Sequence, residues 1–399
     1  MKFNYIDLFA GCGGLSLGLH NSGWTGLFAI EKNEDAFATF NFNLLSHKGY
    51  FDWPGWLPKE NLDINDVIKN YKENLEELKG KIPLVVGGPP CQGFSMAGSR
   101  KPDDLRNKLS KKYLKFIRIV KPKVVLFENV HGFTVGFKND KKKGKPYSQI
   151  IIDSLKRMGY KVHNEIIDVS EFGVPQKRKR FILIGCLDKD PKLFFDILHK
   201  NKNRFLQKYN LKTPVNVKDA IGDLLQSNGQ VICPDIKRFK SGIYGLAQTP
   251  YQSLCRKEIS KNTIIPDSHR FANQKDATID LYKKIMQISN DSKRITPKQN
   301  IVEGLRKRSV VPLKSDSVCN TVTSIPDDYI HYCEPRILTV REMARFQSFP
   351  DWFEFKGKYT TGGSRRKFEV PRYTQVANAV PPFFAQQVGL ALREVLSDE

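Results

Sequence analysis

The sequence predicts an α/β fold, in which a mainly parallel, Rossmann-like sheet forms one domain and a second, smaller and irregular domain follows it. Two observations support this prediction. Short apolar runs of strand length alternate with helical stretches in the first part of the chain, and each run ends on a glycine-rich or polar tip. After about residue 187 the alternation fades, and residues 188–330 are polar and rich in turn formers.

The apolar runs define the strands predicted for the first domain. They cover residues 3–9, 26–30, 82–86, 123–127 and 181–185. The first run leads into a glycine-rich turn at residues 10–14 and then into a helical stretch, which together form a strand–loop–helix unit. Because parallel strands end at one edge of a sheet, we expect the chemistry at the tips of these runs.

The charge balance favours a polyanionic partner. The 399 residues include 65 Lys and Arg against 42 Asp and Glu, which gives a formal net charge of +23. Phosphate contacts supply most of the non-specific affinity for nucleic acids, so this excess favours DNA or RNA. A lysine-rich surface that serves only solubility is the alternative that charge alone leaves open.

The cysteines predict neither a metal site nor a disulfide framework. They form no CxxC pair and have no histidine at zinc-finger spacing. The start of the chain has no basic-then-apolar leader and no apolar run of membrane length. We therefore expect a reduced, cytoplasmic protein with no bound metal and no membrane segment.

A glycine-rich loop and two carboxylates are candidates for a nucleotide-like cofactor site. Residues 7–14 follow a strand and precede a helix, so their backbone allows close approach of a ligand to a helix N-terminus. The spacing is not GxGxxG, so the loop by itself does not distinguish a cofactor site from a turn. Glu31, at the end of the second strand, is placed to accept both ribose hydroxyls of an adenosine. Asp63 would complete the pocket, although an exposed helix cap is the alternative for either carboxylate.

Cys91 is the candidate nucleophile. It follows Gly-Gly-Pro-Pro on the tip of the third strand, where a fixed backbone would leave the thiol facing the cleft. Basic neighbours favour the reactive thiolate, and Arg100, Lys101 and Arg106 lie in the loop that follows. For the other cysteines a buried, inert side chain is the expectation.

Glu128 and a basic run supply further polar groups. Glu128 ends the fourth strand and is placed to hold a proton on a ring nitrogen. Residues 176–180 alternate, so Gln176, Arg178 and Arg180 should point one way and the lysines the other. That face would clamp a base or a carboxylate; a basic edge strand lying on phosphate is the alternative.

Several motifs coincide in one order along the chain. They are DLFAGCGG at 7–14, GPPCQGFS at 88–95, ENV at 128–130, QKRKR at 176–180, RILTVREMARFQ at 336–347 and QVANAVPP at 375–382. In these motifs and their order, nearly the whole chain resembles the C5-cytosine-specific DNA methyltransferases of the bacterial restriction–modification type. The resemblance implies an S-adenosylmethionine-dependent methyltransferase fold with a target-recognition domain.

The resemblance also implies residue roles. Cys91 would attack C6 of cytosine, Glu128 would hold N3, and Arg180, helped by Arg178, would contact the ring oxygen. Phe9 would stack on the adenine of S-adenosylmethionine, Glu31 would bind its ribose, Asp63 and Ile64 its adenine, and Asn378 would lie near its methionine end. The carbonyl of Pro90 would accept from the exocyclic amine of cytosine. The full set implied for the cofactor site is Phe9, Gly11, Gly13, Leu15, Glu31, Asp63, Ile64, Pro90 and Asn378.

The chain departs from the family pattern at two positions near that site. Ala377 stands where the family usually has glycine, and Lys32 where an aromatic residue is common. We expect both to tune the packing of the cofactor. A long basic link at residues 360–367 either touches the DNA backbone or is a loop.

The resemblance divides the chain into four segments. Residues 1–187 would form the catalytic and cofactor-binding domain, 188–330 the target-recognition domain, 331–372 a hinge that supports recognition, and 373–399 a C-terminal segment that completes the catalytic domain. Double-stranded DNA is the expected partner of a monomer, alongside a possible companion restriction endonuclease. The side chains proposed to reach a groove are Arg238, Lys240, Tyr244, Arg256 and Arg270.

Three alternatives remain open from the sequence. An RNA (tRNA) cytosine-5 methyltransferase would use the same chemistry. A catalytically inactive DNA-binding relative would keep the fold, but the intact Cys91, Glu128 and Arg180 argue against it. A dinucleotide-dependent oxidoreductase would explain the glycine loop and Glu31, yet would leave the Pro-Pro-Cys and Gln-x-Arg-x-Arg elements without a role.

Overall fold

The computed structural model describes residues 2–46, 49–90, 107–135, 138–139, 142–143, 146–289, 291–305, 309–362, 365 and 368–397. Cys91, Arg100, Lys101 and Arg106 lie outside these residues. The chain forms two compact units. The first comprises Met1–Asp168, Lys179–Asn203 and Phe384–Glu399, and the second comprises Val169–Arg178 and Arg204–Phe383.

A mostly parallel sheet forms the centre of the first unit. Its strands are β1 (Asn4–Leu8), β2 (Thr25–Ile30), β3 (Leu84–Gly87), β4 (Val124–Val130), β7 (Lys161–Asp168) and β8 (Lys179–Cys186), with β5 (Lys138–Asn139) and β6 (Lys142–Lys143) forming a separate pair. The strand order is β2-β1-β3-β4-β8-β7. The first four strands pair in parallel, whereas β8 pairs antiparallel with both β4 and β7. The predicted α/β fold with a mainly parallel sheet is therefore present, with one reversed strand.

Helices follow the strands of this unit. They are α1 (Gly14–Asn21), α2 (Glu34–Phe40), α3 (Ile64–Asn70), α4 (Lys72–Glu77), α5 (Asn107–Val120), α6 (Tyr147–Arg157) and α7 (Lys192–Lys208), of which α7 continues into the second unit after Asn203. Fully buried side chains such as Ile6, Phe28, Val85 and Phe127 join strands and helices in one apolar core. Burial of these apolar side chains provides the main driving force for folding of the unit and holds the ends of the strands in position.

The second unit has short elements joined by long connections. They are α8 (Val217–Ile221), β9 (Gln230–Ile232), β10 (Lys240–Gly242), α9 (Pro250–Cys255), α10 (Asp276–Ile288), β11 (Val311–Pro312), β12 (Tyr329–Ile330), α11 (Val340–Phe346) and α12 (Arg372–Asn378). Strands β9 and β10 pair antiparallel, and β11 and β12 pair in parallel. Tyr282, Ile285 and Ile330 belong to a small apolar core.

Buried ion pairs fix α11 within the second unit. The guanidinium of Arg345 donates to Asp223 at 3.0 Å and to Asp351 at 2.6 Å, and all three side chains are fully buried. Arg341 donates to Asp267 at 3.0 Å. Removing one partner of such a cluster would leave a charge buried without compensation, so these residues specify how α11 packs.

The last helix, α13 (Pro382–Ser397), contains the boundary between the two units. In the first unit, Trp24 donates its indole N–H to the carbonyl of Gly389 at 2.9 Å, and a Cβ at Gly389 would meet Ser22. The boundaries of the two units thus differ from those of the four predicted segments. The functions given to those segments stay predictions. Within the described ranges, no helix is long and apolar enough to cross a membrane.

Candidate active site

The tips of five strands meet at one edge of the sheet. Strands β1 to β4 are parallel, so their carboxyl ends share that edge, and the reversed strand β8 brings its amino end to it. Val130 at the end of β4 accordingly pairs with Arg180 at the start of β8. This reversal places a basic residue beside the acidic end of a parallel strand.

The glycine-rich loop turns sharply after β1. Phe9, Gly11 and Gly13 all have positive φ, at 62°, 58° and 98°. A Cβ on Gly13 would lie 2.6 Å from Leu44, so glycine is required there for packing as well as for backbone conformation. A Cβ on Gly11 would meet nothing within 4 Å, and Phe9, two residues earlier, is half-buried. The loop therefore leaves open space at Gly11, while Leu15 is buried in α1.

The carboxylate of Glu31 holds this loop. It accepts from the backbone N–H of Gly11 at 2.9 Å and from that of Asn33 at 2.7 Å. Burial raises the pKa of Glu31, and these backbone donors oppose the shift. Deeper in the core, the carboxyl of Asp7 accepts from the hydroxyl of Ser16 at 2.6 Å. Burial, with a contribution from the charge of Glu31, raises the pKa of Asp7 to about 7.

Asp63 caps α3. It accepts from the backbone N–H of Asn65 at 2.8 Å and pairs with Lys32 at 2.9 Å. Partial burial would raise the pKa of Asp63, but the donors from Asn65 and Lys32 outweigh it and lower that pKa. Ile64 is buried in the apolar core. The helix-cap interpretation therefore applies to Asp63, and Lys32 fixes the same carboxylate.

Glu128 and Arg180 form an ion pair at the strand tips. The Nε of Arg180 lies 2.9 Å from Oε1 of Glu128, and both side chains are nearly buried. Burial lowers the pKa of Arg180, and the charge of Glu128 opposes this effect. A Cβ on Gly88 would lie 2.8 Å from Oε2 of Glu128. The second carboxyl oxygen thus lies directly against the loop that leads to Cys91.

A hydrogen bond from Asn129 connects the loop that leads to Cys91 with β4. Asn129 is buried and donates from its side chain to the carbonyl of Pro89 at 3.1 Å. Pro90, the next residue, is exposed. The sequence indicated Glu128 but assigned no role to Asn129 or to Gly88; both follow from their position between the tips of neighbouring strands.

The basic run at residues 176–180 alternates along the chain, as predicted, and its two faces differ in burial. Gln176, Arg178 and Arg180 are buried and the two lysines are exposed. Gln176 and Arg178 belong to the second unit, where Arg178 donates to the carbonyl of Ala377 at 2.8 Å. Asn378 is an exposed residue at the end of α12 in the same unit.

The predicted site residues thus fall into two groups. The second unit contains Arg178 and Asn378, and the first unit contains Phe9, Gly11, Gly13, Leu15, Glu31, Asp63, Ile64, Pro90, Glu128 and Arg180. Within the first unit, direct contacts join Gly11 with Glu31 and Glu128 with Arg180. Among the described residues, no group of three or more His, Cys, Asp or Glu is placed to hold a metal ion. The paired carboxylate and guanidinium can bind the polar edge of a flat ring, and the open glycine loop can accept a nucleoside.

Comparison with known families gives one match over nearly the whole chain. The profile of the C-5 cytosine-specific DNA methylases matches residues 3–394. The type II methyltransferase M.DdeI of Desulfomicrobium norvegicum is 30% identical over 394 residues, which are 96% of this chain and 86% of that protein. The type II methyltransferase M1.HphI of Haemophilus parahaemolyticus is 30% identical over 402 residues, covering 100% of this chain and 89% of that protein.

Solved structures share the fold. A prophage-encoded E. coli protein described as a DNA modification methyltransferase aligns with a TM-score of 0.66 at 23% identity over 99% of both chains. The Dnmt2 methyltransferase of S. pombe aligns with a TM-score of 0.56 at 16% identity over 100% of this chain and 99% of that one. These likenesses confirm the methyltransferase fold that the sequence predicted.

Proposed function

Because the chain belongs to the C-5 cytosine-specific DNA methylase family, and is thus a DNA (cytosine-5-)-methyltransferase, we propose that it takes its methyl group from S-adenosylmethionine and uses Cys91 as a covalent nucleophile. The observation that carries this proposal is the Glu128–Arg180 pair, which lies against Gly88 at the start of the Pro-Pro-Cys loop. An acid, a base-binding cation and a nucleophile loop converge there on one sheet edge.

The first unit fits the proposed cofactor. Open space at Gly11 admits a ligand close to the backbone, and the Glu31 carboxylate beside it can accept ribose hydroxyls. Phe9 would lie against the adenine, with Asp63 and Ile64 nearby. Asn378 belongs to the second unit, and its role at the methionine end is implied by the resemblance alone. Lys32 pairs with Asp63 and so restricts how that carboxylate meets a ligand. When bound, S-adenosylmethionine supplies an electrophilic methyl group on a sulfonium centre.

The protein side of the reaction follows from cytosine chemistry. C5 of an intact cytosine ring is a poor nucleophile, and addition of the Cys91 thiolate to C6 makes C5 enamine-like. Glu128 holds a proton at N3 and so stabilises the ring during this addition, while Arg180 orients the carboxyl and contacts the ring oxygen. Once C5 carries the methyl group, loss of the C5 proton and departure of Cys91 restore the ring. Neither carbon is reachable inside a duplex, so the cytosine must flip out.

The biological role that we infer is host modification. The relatives named above are type II methyltransferases, and this chain covers most of their length. We propose that the protein acts as a monomer on duplex DNA and protects a sequence that a companion restriction endonuclease cuts.

Gly88 offers a test of the geometry around Glu128. Gly88→Ala should lower kcat for methyl transfer by about 100-fold, because the new methyl group would displace the paired carboxylate, and displacements near 1 Å can have effects of that size. Gly55→Ala is the matched control, since Gly55 is exposed and its Cβ would meet nothing within 4 Å. Equal kcat in both variants would contradict the placement of Glu128.

Bisulfite sequencing tests the proposed function as a whole. Genomic DNA from a host without cytosine methylation of its own, expressing this chain, should contain protected cytosines at one position of a fixed sequence. DNA from cells with the empty vector should contain none. Unprotected DNA together with new 5-methylcytosine in tRNA would overturn the proposal in favour of an RNA enzyme.

A further inference from the structure

A column of alternating guanidinium groups and aromatic rings lies in the second unit. The guanidinium of Arg270 lies 4.1 Å from the ring centroid of Phe239 and 3.9 Å from that of Tyr359. Arg372 lies 4.3 Å from the Tyr359 ring, and Arg238 lies 5.0 Å from the Phe239 ring. We call Arg372, Tyr359, Arg270, Phe239 and Arg238 the stacked column.

Its three cations differ in their partners. Arg372 pairs with Asp235, which also accepts from the hydroxyl of Tyr359 at 2.9 Å. Within the part of the chain that the structure describes, neither Arg238 nor Arg270 has a carboxylate at ion-pair distance, and the buried Nε of Arg270 has no hydrogen-bond partner. The column therefore holds more positive charge than the single carboxylate beside it can neutralise.

Further cations lie near the solvent-exposed part of the stacked column. Arg238 and its neighbours Lys237 and Lys240 are exposed, and Arg270 is half-buried. Backbone pairing fixes them together: Arg270 bridges to Ser241, and the N–H of residue 271 donates to the carbonyl of Lys240 at 2.9 Å. A surface with several positive charges suits a polyanionic backbone, whereas recognition of a base edge requires a specific pattern of hydrogen-bond donors and acceptors.

Two other candidate groove residues are engaged inside the unit. Arg256 donates to the carbonyl of Gly245 at 2.8 Å and to Asp223 at 3.3 Å, and it stacks on the ring of Tyr244. The hydroxyl of Tyr244 donates to buried Asp351 at 2.9 Å. These contacts support the fold and separate this pair from the column.

We propose that Arg270 and Arg238 grip phosphates of the DNA substrate and hold the duplex in place without reading its sequence. The inference rests on the proposed function, because it assigns a contact to the same substrate. Stacking on rings restrains a guanidinium, so less side-chain freedom is lost when a phosphate binds, and it leaves the planar fork able to bind phosphate oxygens. The charge of the half-buried Arg270 is in addition partly desolvated, which strengthens its attraction to an anion.

Salt-dependent binding to a pool of random-sequence duplex DNA tests the assignment without knowledge of the target. In a plot of log Kobs against log salt concentration, the magnitude of the slope should fall by about 0.9 for each phosphate that the variant no longer neutralises. Arg270→Gln and Arg238→Gln should each give that decrease. Arg238 is exposed, so its replacement also tests the assignment should Arg270→Gln fail to fold. Arg270→Lys should keep most of the slope because it keeps the charge.

Lys284→Gln is the matched control, since it removes one exposed cation from α10 in the same unit. It should leave the slope unchanged, and an equal decrease in this control would overturn the assignment. An unchanged slope in the arginine variants would also overturn the assignment. The same holds for a shift in the methylated sequence, or for a slope that decreases for binding to tRNA but not for binding to DNA. In methylation assays the two arginine variants should raise KM with kcat retained. If the wild-type enzyme methylates no DNA, the proposed function fails, and the slope experiment still decides the phosphate contact.

Discussion

Cys91→Ser should abolish methyl transfer to DNA, with a loss of at least about 1,000-fold in kcat, the scale expected when a covalent nucleophile is removed. The physical reason is ionisation: a serine hydroxyl is far less ionised at neutral pH than a cysteine thiol, so addition to C6 nearly stops. Tritium transfer from labelled S-adenosylmethionine to DNA measures the effect. Binding to duplex DNA should persist, because Cys91 supplies a covalent step and few contacts.

Cys333→Ser is a suitable control for this variant. Cys333 was expected to be buried, but it is an exposed residue of the second unit, and its replacement should leave activity near that of the wild type. Activity in Cys91→Ser close to the wild-type level would remove the covalent step from the mechanism.

Glu128→Gln should lower kcat by about 100-fold to 10,000-fold, the usual effect of losing a positioned acid. Glutamine is nearly isosteric and can still accept from Arg180, but it cannot carry an acidic proton to N3. Single-turnover methylation at saturating DNA measures this step separately from binding. The methylated sequence should not change, because Glu128 contacts the ring and not the neighbouring bases.

Glu128→Ala should also destabilise the folded protein. It leaves Arg180 nearly buried without its partner, and breaking a buried pair commonly costs about 3–5 kcal/mol of stability. The thermal unfolding of both variants should therefore be measured beside their activity. A Glu128→Gln enzyme that is folded and fully active would contradict the acid role, and a shift in the methylated sequence would contradict the separation of catalysis from recognition.

The strands were predictable where local pattern determines them. The apolar runs at residues 26–30 and 123–127 match β2 and β4 closely, since a strand buried on both faces needs continuous apolar sequence. Strand β7 was not predicted because it lies at the sheet edge and its residues are mostly polar and only half-buried. The reversal of β8 was not predicted either, because strand direction depends on long-range pairing.

The site was predictable at the level of residue type. Glu31 directly follows β2, as the sequence indicated, whereas Glu128 lies inside β4, which extends two residues beyond it. The alternation correctly separated Arg180 from the exposed lysines of the same run. Three contacts join residues that are 40 or more positions apart in the sequence. They are those of Arg180 with Glu128, of Gly88 with Glu128, and of Asn129 with Pro89. Sequence spacing cannot indicate such contacts, because they depend on which strands become neighbours.

The side chains predicted to reach a DNA groove show the same limit of prediction from sequence. Sequence alone grouped Arg256 with Arg270 as equivalent groove residues. The structure separates them, because Asp223 pairs with Arg256, whereas Arg270 stacks on two rings and has no carboxylate at ion-pair distance among the described residues. The partner of a cation, and hence its availability for a ligand, is determined by folding.

A duplex with 5-fluorocytosine at the methylated position tests whether Cys91 forms a covalent bond to the substrate. Fluorine at C5 cannot leave as a proton does, so Cys91 stays bonded to C6 after methyl transfer. We expect a complex of one protein and one duplex that survives denaturing electrophoresis, forms only with S-adenosylmethionine present, and is missing in Cys91→Ser. Absence of this complex from an enzyme that methylates the same sequence with ordinary cytosine would contradict covalent catalysis by Cys91.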